Sequence, residues 1–577
     1  MKGYRKQYVT AIVLTVIIAL LSLVNPTISQ LIVDKVLSPT DGNSRVDLLI
    51  PLVALLIGFT LLRTCLGYTQ LMTFEKSCTG FLANVRSYLY RNMQKQDMSF
   101  YDKNRTGDLM TRLTGDLDAV SHTVNWDVRI GVESLVLFTA ILIYFLCIDP
   151  LLTLILCIIL PFIFLCSFIY SRKVRPYYRN QREKLAVMNS RAQENIAGNR
   201  VVKAFAREDY EIARFDERNA EYSEANLKVN KYWLTFYPMI EFSAQALTIV
   251  VLLVGGLFVM NDRITLGQLL AFSSLTGTFA RPVRLLGNIL NDMQRFSASV
   301  EKVIELYYSR PMIVTRTDCK KKDCEVEGRI TFYHVSLKLS GKEILHDISV
   351  DIKPGETIAI MGNTGSGKTM LVNLIPRLYD IASGTLSIDG IPIKEWDLHT
   401  LRKSIGMATQ DVFLFSDTVD GNIAYGNSDM SEEDVKHYAE ISAADFVEHL
   451  DEGFNTLIGE RGVGLSGGQK QRLALARALA IRPSILILDD TTSAVDMETE
   501  HFIQNSLNNL DFVCTKLIVA QRISTTKRAD RVIVLKDGHI TEIGTHEELA
   551  KKGGFYTEIC RLQEALPDED IAEGGEG

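Results

Sequence analysis

Long apolar runs fill the first half of this chain and short, strand-sized runs the second, and that change of texture predicts two kinds of domain. Tyr8 to Ile32 is almost uninterruptedly apolar and longer than the roughly 20 residues a membrane helix needs, with Lys2, Arg5 and Lys6 before it. No small-residue cleavage site follows, so a retained span is preferred to a secretory signal, and Asn25-Pro26 within it predicts a kink. Leu48 to Tyr68 is a second span despite Arg63. Val128 to Ile148 and Leu151 to Tyr170 are a third and fourth joined by an Asp149-Pro150 turn, and a fifth runs from about Tyr232 to Met260. A sixth begins near Leu266, but its apolar run ends by Ala280, before Arg281 and Arg284, and hydropathy alone does not establish it. Glu241, Arg281 and Arg284 are costly at membrane depth. They are expected to face a cavity or each other, or to sit near the cytoplasmic end and meet water or headgroups.

Basic residues orient these spans. Glu75 to Asn125 carries Lys76, Arg86, Arg91, Lys95, Lys103, Arg105 and Arg112, and Ser171 to Lys231 is richer still. Asp149-Pro150 has none, and Asn261 to Thr265 only Arg263. The two long segments therefore face the cytoplasm. Both are helix-patterned, which predicts that the spans extend far into the cytosol.

From about Ser297 to Glu325 the apolar bias gives way to a charged linker, and from Val326 the pattern is one of strands and turns. Gly328 to Phe332, Ile348 to Ile352, Glu356 to Met361 and Ser484 to Leu488 read as strands. The predicted division is a transmembrane domain over 1–296, a linker over 297–325, a soluble α/β domain over 326–566, and an acidic, glycine-rich disordered tail over 567–577.

Composition adds three points. A mean hydropathy of +0.09 with 23% charged residues is a mixture of one greasy and one polar domain in 577 residues. A net charge of −7 gives no reason to propose nucleic acid as a partner. Nine cysteines are scattered, with Cys147, Cys157 and Cys166 inside apolar runs, which reads as packing. Cys319 and Cys324 flank Lys320-Lys321-Lys322-Asp323 without a second ligand pair, which reads as linker rather than metal site.

The chemistry begins at Gly362-Asn363-Thr364-Gly365-Ser366-Gly367-Lys368-Thr369, a match to G-x-x-x-x-G-K-[ST] between a predicted strand and a predicted helix. Glycines let backbone approach phosphates, Lys368 reaches the β/γ oxygens, and the Thr369 hydroxyl can ligate Mg2+, so ATP is the expected ligand. Downstream, Ser484 to Leu488 ends in Asp489-Asp490. A carboxylate at the end of a buried strand on the same sheet edge is suited to hold Mg2+ or its water, and Asp489 takes that role.

Leu465-Ser466-Gly467-Gly468-Gln469, followed by Lys470-Gln471-Arg472 and then the strand ending in Asp489, resembles the signature of ATP-binding cassette (ABC) proteins. The resemblance implies that Ser466, Gly467, Gly468 and Gln469 close over ATP held by a second cassette. Gln410 resembles the loop residue that links Mg2+ to the membrane domain, and Ser493-Ala494-Val495-Asp496 the loop crossing between cassettes. Thr456 to Gly462 resembles the stretch that contacts the partner's cytoplasmic loops. Phe100-Tyr101-Asp102 with Thr106 to Met110, and Arg200 to Phe205, are similar to the two cytoplasmic coupling regions of half-size exporters. The implied fold is an α-helical six-span transmembrane domain followed by an α/β P-loop ATPase domain, the type I exporter (type IV) architecture, in the cytoplasmic membrane.

Three positions depart from the family pattern. Asp490 stands where Glu polarises the attacking water, Gln521 where the switch histidine is found, and Leu339 where an aromatic stacks on adenine. Asp490 and Gln521 thus occupy the catalytic positions with poorer chemistry: a carboxylate one methylene short, and an amide that cannot shuttle a proton. The implied protein is the degenerate-site half of a heterodimeric exporter of hydrophobic or amphipathic, drug- or lipid-like compounds, partnered by a second half-transporter. Homodimeric lipid flippase and ATP-gated channel are the alternatives, and the spans exclude a soluble cassette acting on nucleic acid.

Overall fold

The computed structural model describes residues 3–38, 45–315, 325–339, 341–459, 462–491 and 494–564. They form two compact units: Met1–Gln94 with Arg105–Ser309, and Lys95–Asn104 with Arg310–Gly577. Cys319, Cys324 and the lysines between them, Lys2, Glu460, Arg461, Ser493, the Arg284 side chain and the 567–577 tail lie outside the described residues.

The first unit is helical: α1 (Arg5–Leu21), α2 (Val24–Ile32), α3 (Leu49–Gln94), α5 (Thr106–Leu113), α6 (Gly115–His122), α7 (Val128–Ile148), α8 (Pro150–Ala197), α9 (Asn199–Ala204), α10 (Glu208–Met260) and α11 (Leu266–Tyr308). The short helix α4 (Met98–Lys103) falls in the second unit. The break between α1 and α2 comes at Ser22-Leu23, one turn before Pro26. A proline ring clashes with the carbonyl four residues back, which here is that of Ser22. The 46 residues of α3 reach roughly 70 Å at about 1.5 Å each, more than twice a hydrocarbon core of about 30 Å. Helices α8 and α10, of 48 and 53 residues, are equally overlong, as the helical patterning of the two basic segments predicts.

Among the described residues, five helical runs are long and apolar enough to cross a membrane: Arg5–Leu37, Val46–Gln94, Thr106–Ile148, Pro150–Ala197 and Glu208–Met260. The run from Leu266 is not one of them, so the expected count of six is not reached on length and composition. Its first half nevertheless packs in one apolar core with residues of α1, α7, α8 and α10. Phe272 and Phe279 are fully buried, and Phe272 stacks on Phe145 of α7 at 4.2 Å. Glu241 is half-buried and accepts a hydrogen bond from Gln245 Nε2 at 3.3 Å, while Arg281 is exposed.

The charged segment expected to begin a linker at Ser297 is helix through Tyr308 instead. Its polar side chains have partners in the same unit: Ser299 donates to the buried Asp116 at 2.8 Å, and Glu305 pairs with Arg112 at 3.2 Å. Charge here marks a helix that leaves the apolar core while remaining packed, not a loss of structure.

The second unit holds two sheets. A four-stranded antiparallel sheet, in the order β2-β1-β4-β5, joins β1 (Ile330–Leu339), β2 (Lys342–Ile352), β4 (Ser383–Ile388) and β5 (Ile391–Pro392). A six-stranded sheet runs β10-β9-β3-β8-β7-β6, from β3 (Thr357–Gly362), β6 (Ile405–Ala408), β7 (Ile485–Asp489), β8 (Thr515–Val519), β9 (Arg531–Lys536) and β10 (His539–Gly544). All its neighbours are parallel except β9 and β10. Strands covered on both faces need continuous apolar sequence, and every residue of β7 is buried.

Candidate nucleotide site

Strand β3 ends at Gly362, whose backbone passes so close to the Leu535 carbonyl that a Cβ would lie 2.0 Å from it. The chain then turns through Asn363, Thr364 and Gly365, all exposed. Gly367, at φ +99°, caps the helix Lys368–Asn373 in the left-handed conformation that glycine adopts without penalty. The Lys368 ammonium folds back across its own loop, donating to the carbonyls of Gly362 at 2.7 Å and Asn363 at 2.9 Å. Burial pushes its pKa below the ordinary lysine value, with the carboxylates of Asp489 and Asp490 pulling the other way. Ser366 is buried beneath the loop, and its hydroxyl has no hydrogen-bond partner.

Across from the loop, β7 delivers Asp489, 2% exposed, and pairs it with Val519 of β8. That register brings the segments just beyond both strand ends side by side. Gln521 Nε2 donates to Asp490 Oδ2 at 2.8 Å. Asp490 itself has φ +53°, a left-handed conformation that Asp tolerates better than most residues with a Cβ. Burial raises the Asp489 carboxyl above its ordinary value, opposed by a hydrogen bond with Thr369 and by the Lys368 charge. A buried carboxylate beside a hydroxyl is a hard-oxygen donor set of the kind Mg2+ takes, so the residues fit the ion.

The cleft between loop and strand ends measures about 320 Å³. It is lined by Thr364, Gly365, Gly367, Lys368, Thr369, Gln410, Asp489, Asp490 and Gln521, together with Ile344 and Met370. The phosphate loop, the expected metal positions and both altered positions thus meet in one place. Ile344, on β2, was not anticipated; as one apolar residue in a strand it carries no signal. Leu339 does not line the cleft but packs against the cassette's apolar core.

Ser466, Gly467, Gly468 and Gln469 do not line it either. Ser466 caps the helix Gly467–Ala480. Its hydroxyl accepts the Gln469 amide at 3.3 Å, and the Gln469 side chain accepts the Ser466 amide at 2.8 Å, a reciprocal capping box. Ser466 and Gly467 are exposed. Gly468 backs onto the chain after β7, where a Cβ would sit 2.6 Å from the Ala494 carbonyl. Gln471, one turn on, donates to the Asp490 carbonyl and accepts the Ala494 amide, each at 3.2 Å. It fastens the signature helix to the strand end that carries Asp490, a role its place two residues beyond the signature did not disclose.

Helix α4 contains Phe100-Tyr101-Asp102 and belongs to the cassette unit. The Tyr379 hydroxyl donates to Asp102 at 3.0 Å, and burial together with that carboxylate pushes Tyr379 up to about 12. The Met312 amide donates to Asp97 at 2.8 Å. Thr106 to Met110 lies in the other unit, as does α9 with Arg200 to Phe205. There Val201 and Phe205 are 61% and 73% exposed.

The ABC transporter transmembrane region family matches residues 8–283, and the ABC transporter family matches residues 345–493. The ABC transporter ATP-binding protein YknU of Bacillus subtilis (strain 168) is 36% identical, over 97% of this chain and 95% of its own. YgaD of the same organism, named for multidrug export, is 32% identical over 97% and 98%. A protein of Syntrophus aciditrophicus (strain SB) named as an ATP-dependent lipid A-core flippase is 34% identical over 94% and 88%. Among solved structures, a bacterial Atm1-family ABC exporter with ATP bound superposes with a TM-score of 0.79. It covers 99% of both chains at 24% identity, a likeness of fold.

Proposed function

This chain belongs to the ABC transporter family, as a multi-pass membrane protein with a cytoplasmic ATPase domain, and from that premise we propose that it is the slow-site half of a heterodimeric, ATP-driven exporter. The observation that carries the asymmetry is the hydrogen bond between Gln521 and Asp490. The two side chains at the hydrolytic positions satisfy each other. A short carboxylate and a neutral amide are a poor pair for positioning water and handling its proton, and positioning supplies most of the catalysis in phosphoryl transfer.

ATP would lie along Gly362 to Thr369, with Lys368 leaving its loop carbonyls for the phosphates. Thr369, Gln410 and Asp489 would hold Mg2+, which when bound neutralises phosphate charge. Ser466 to Gln469 would cover the ATP of the partner's cassette, where the exposed cap offers a hydroxyl and the first amides of a helix, groups without intrahelical acceptors. Helix α11 would be the sixth span, its burial against α7 compensating for its weaker hydropathy. The exposed Val201 of α9 and Phe205 just after it suit a contact with the partner subunit. The names of the multidrug and lipid A relatives support a hydrophobic or amphipathic substrate.

Inverted membrane vesicles carrying this chain and its partner should accumulate a fluorescent amphipathic dye slowly and only with ATP. A linear, ATP-gated conductance in a planar bilayer, with no accumulation, would replace export with a channel.

A further inference from the structure

Between α6 and α7 the helix changes its winding. Thr123–Asp127 is a π turn, closed by the Val128 amide donating to the Thr123 carbonyl five residues back. In an α-helix His122 and Asp127 would point about 140° apart, at about 3.6 residues per turn. The wider turn brings them together, with His122 Nδ1 3.6 Å from Asp127 Oδ2. Such turns are frequent at functional sites.

Asp292 of α11 completes a cluster whose His and carboxylate ligand atoms all lie within 4.8 Å of one another. The second observation is independent of that proximity. Asp127 is 6% exposed, and its Oδ2 accepts no hydrogen bond. An unsatisfied buried carboxylate oxygen is costly, and a cation is the partner that would offset it. A separation of 3.6 Å is long for a hydrogen bond, but it is near the roughly 3.4 Å that separates two ligands of one tetrahedral ion at metal–ligand distances of about 2.1 Å.

We infer that His122, Asp127 and Asp292 form a binding site for a divalent transition metal ion, Zn2+ being the first choice. One imidazole and two carboxylates are a borderline N/O set, which favours this class over Mg2+ or Ca2+, and three protein ligands leave a position for water. His122 is exposed, which gives the ion its way in. The site lies just before the apolar run of α7, on the cytoplasmic side. Next to it Trp126 is half-exposed under the Arg129 guanidinium at 4.7 Å, a pairing suited to a membrane interface. An ion held there ties the start of the third span to α11.

The test uses the untagged, full-length protein in detergent, titrated with Zn2+ and, for spectra, Co2+. One equivalent should bind with a weak visible Co2+ band free of thiolate charge transfer, which separates it from any site using the chain's nine cysteines. Zn2+ should also raise the melting temperature. His122→Ala, Asp127→Asn and Asp292→Asn should each weaken that equivalent by about tenfold or more, since loss of even an outer-shell partner costs about 10- to 100-fold. The exposed His122 can be removed without threatening the fold, and Asp127→Asn should leave the metal-free protein no less stable while abolishing the Zn2+-induced shift. An equivalent that survives all three substitutions, or one displaced equally well by millimolar Mg2+, overturns the assignment.

Discussion

At one end of the nucleotide cleft, Gly362 to Thr369 wraps a backbone cradle around a lysine, with the buried Asp489 opposite. At the other, Asp490 and Gln521 hydrogen-bond to each other. The first end relies on backbone shape, one ammonium and one carboxylate, and all of them match the pattern for phosphate binding. The second relies on side-chain reach and proton chemistry, and there both residues depart from it. If the proposed slow site is right, holding ATP and cutting it are separable in one cleft, because the first tolerates small changes in side-chain length and the second does not.

The largest effect should come from the signature, which serves the partner's site in this account. Gly468→Asp is a poor probe, because a Cβ at that position collides with the Ala494 carbonyl whether or not ATP is present. Ser466→Asp is cleaner. Asp is as good an N-cap as Ser, so the helix keeps its cap while a carboxylate faces the partner's γ-phosphate. Turnover of the assembled complex should fall by about a hundredfold or more, the scale of losing an oxyanion donor, with the melting temperature and this chain's own ATP affinity unchanged. Undiminished turnover would remove the signature from the partner's site.

Next in size is Lys368→Ala. Loss of its charge-assisted contacts should weaken ATP binding at this chain's site by about tenfold, while the complex's ATPase falls less than after the equivalent change in the partner. Equal, near-total loss from both would erase the contrast between the two sites. Smallest is Leu339→Tyr, which supplies an aromatic surface where the family has one. Stacking worth about 0.5–1.5 kcal/mol should tighten ATP binding severalfold without raising turnover. No change in affinity would mean that Leu339, packed against the core, is too far from the base to matter.

The elements that line the candidate cleft were largely legible in the sequence because they are short and contiguous. The strand, loop and helix around Lys368, and the apolar strand before Asp489, each announce themselves within a few residues. What joins them was not legible. The Asp490–Gln521 hydrogen bond depends on the register of β7 with β8, and the collision at Gly468 depends on a backbone approach between segments distant in sequence. The helix after Ser297 was hidden for a related reason: charged residues there look solvated in isolation, but the fold gives Ser299 and Glu305 partners on α6 and α5. His122, Asp127 and Asp292 carry no signal at all, since a five-residue spacing is meaningful only where the helix makes a π turn.

The most direct measurement asks what this chain's site does with the ATP it binds. The complex of this chain with its partner, the partner's own site inactivated, is incubated with labelled Mg-ATP, and retained nucleotide and released phosphate are measured for wild type and for Asp490→Glu combined with Gln521→His. Wild type should retain mainly ATP, and the double substitution should raise phosphate release by about tenfold to a hundredfold, the scale of restoring a misplaced catalytic group. Retained ADP in the wild type, with phosphate release as fast as in the double variant, would contradict the slow-site assignment.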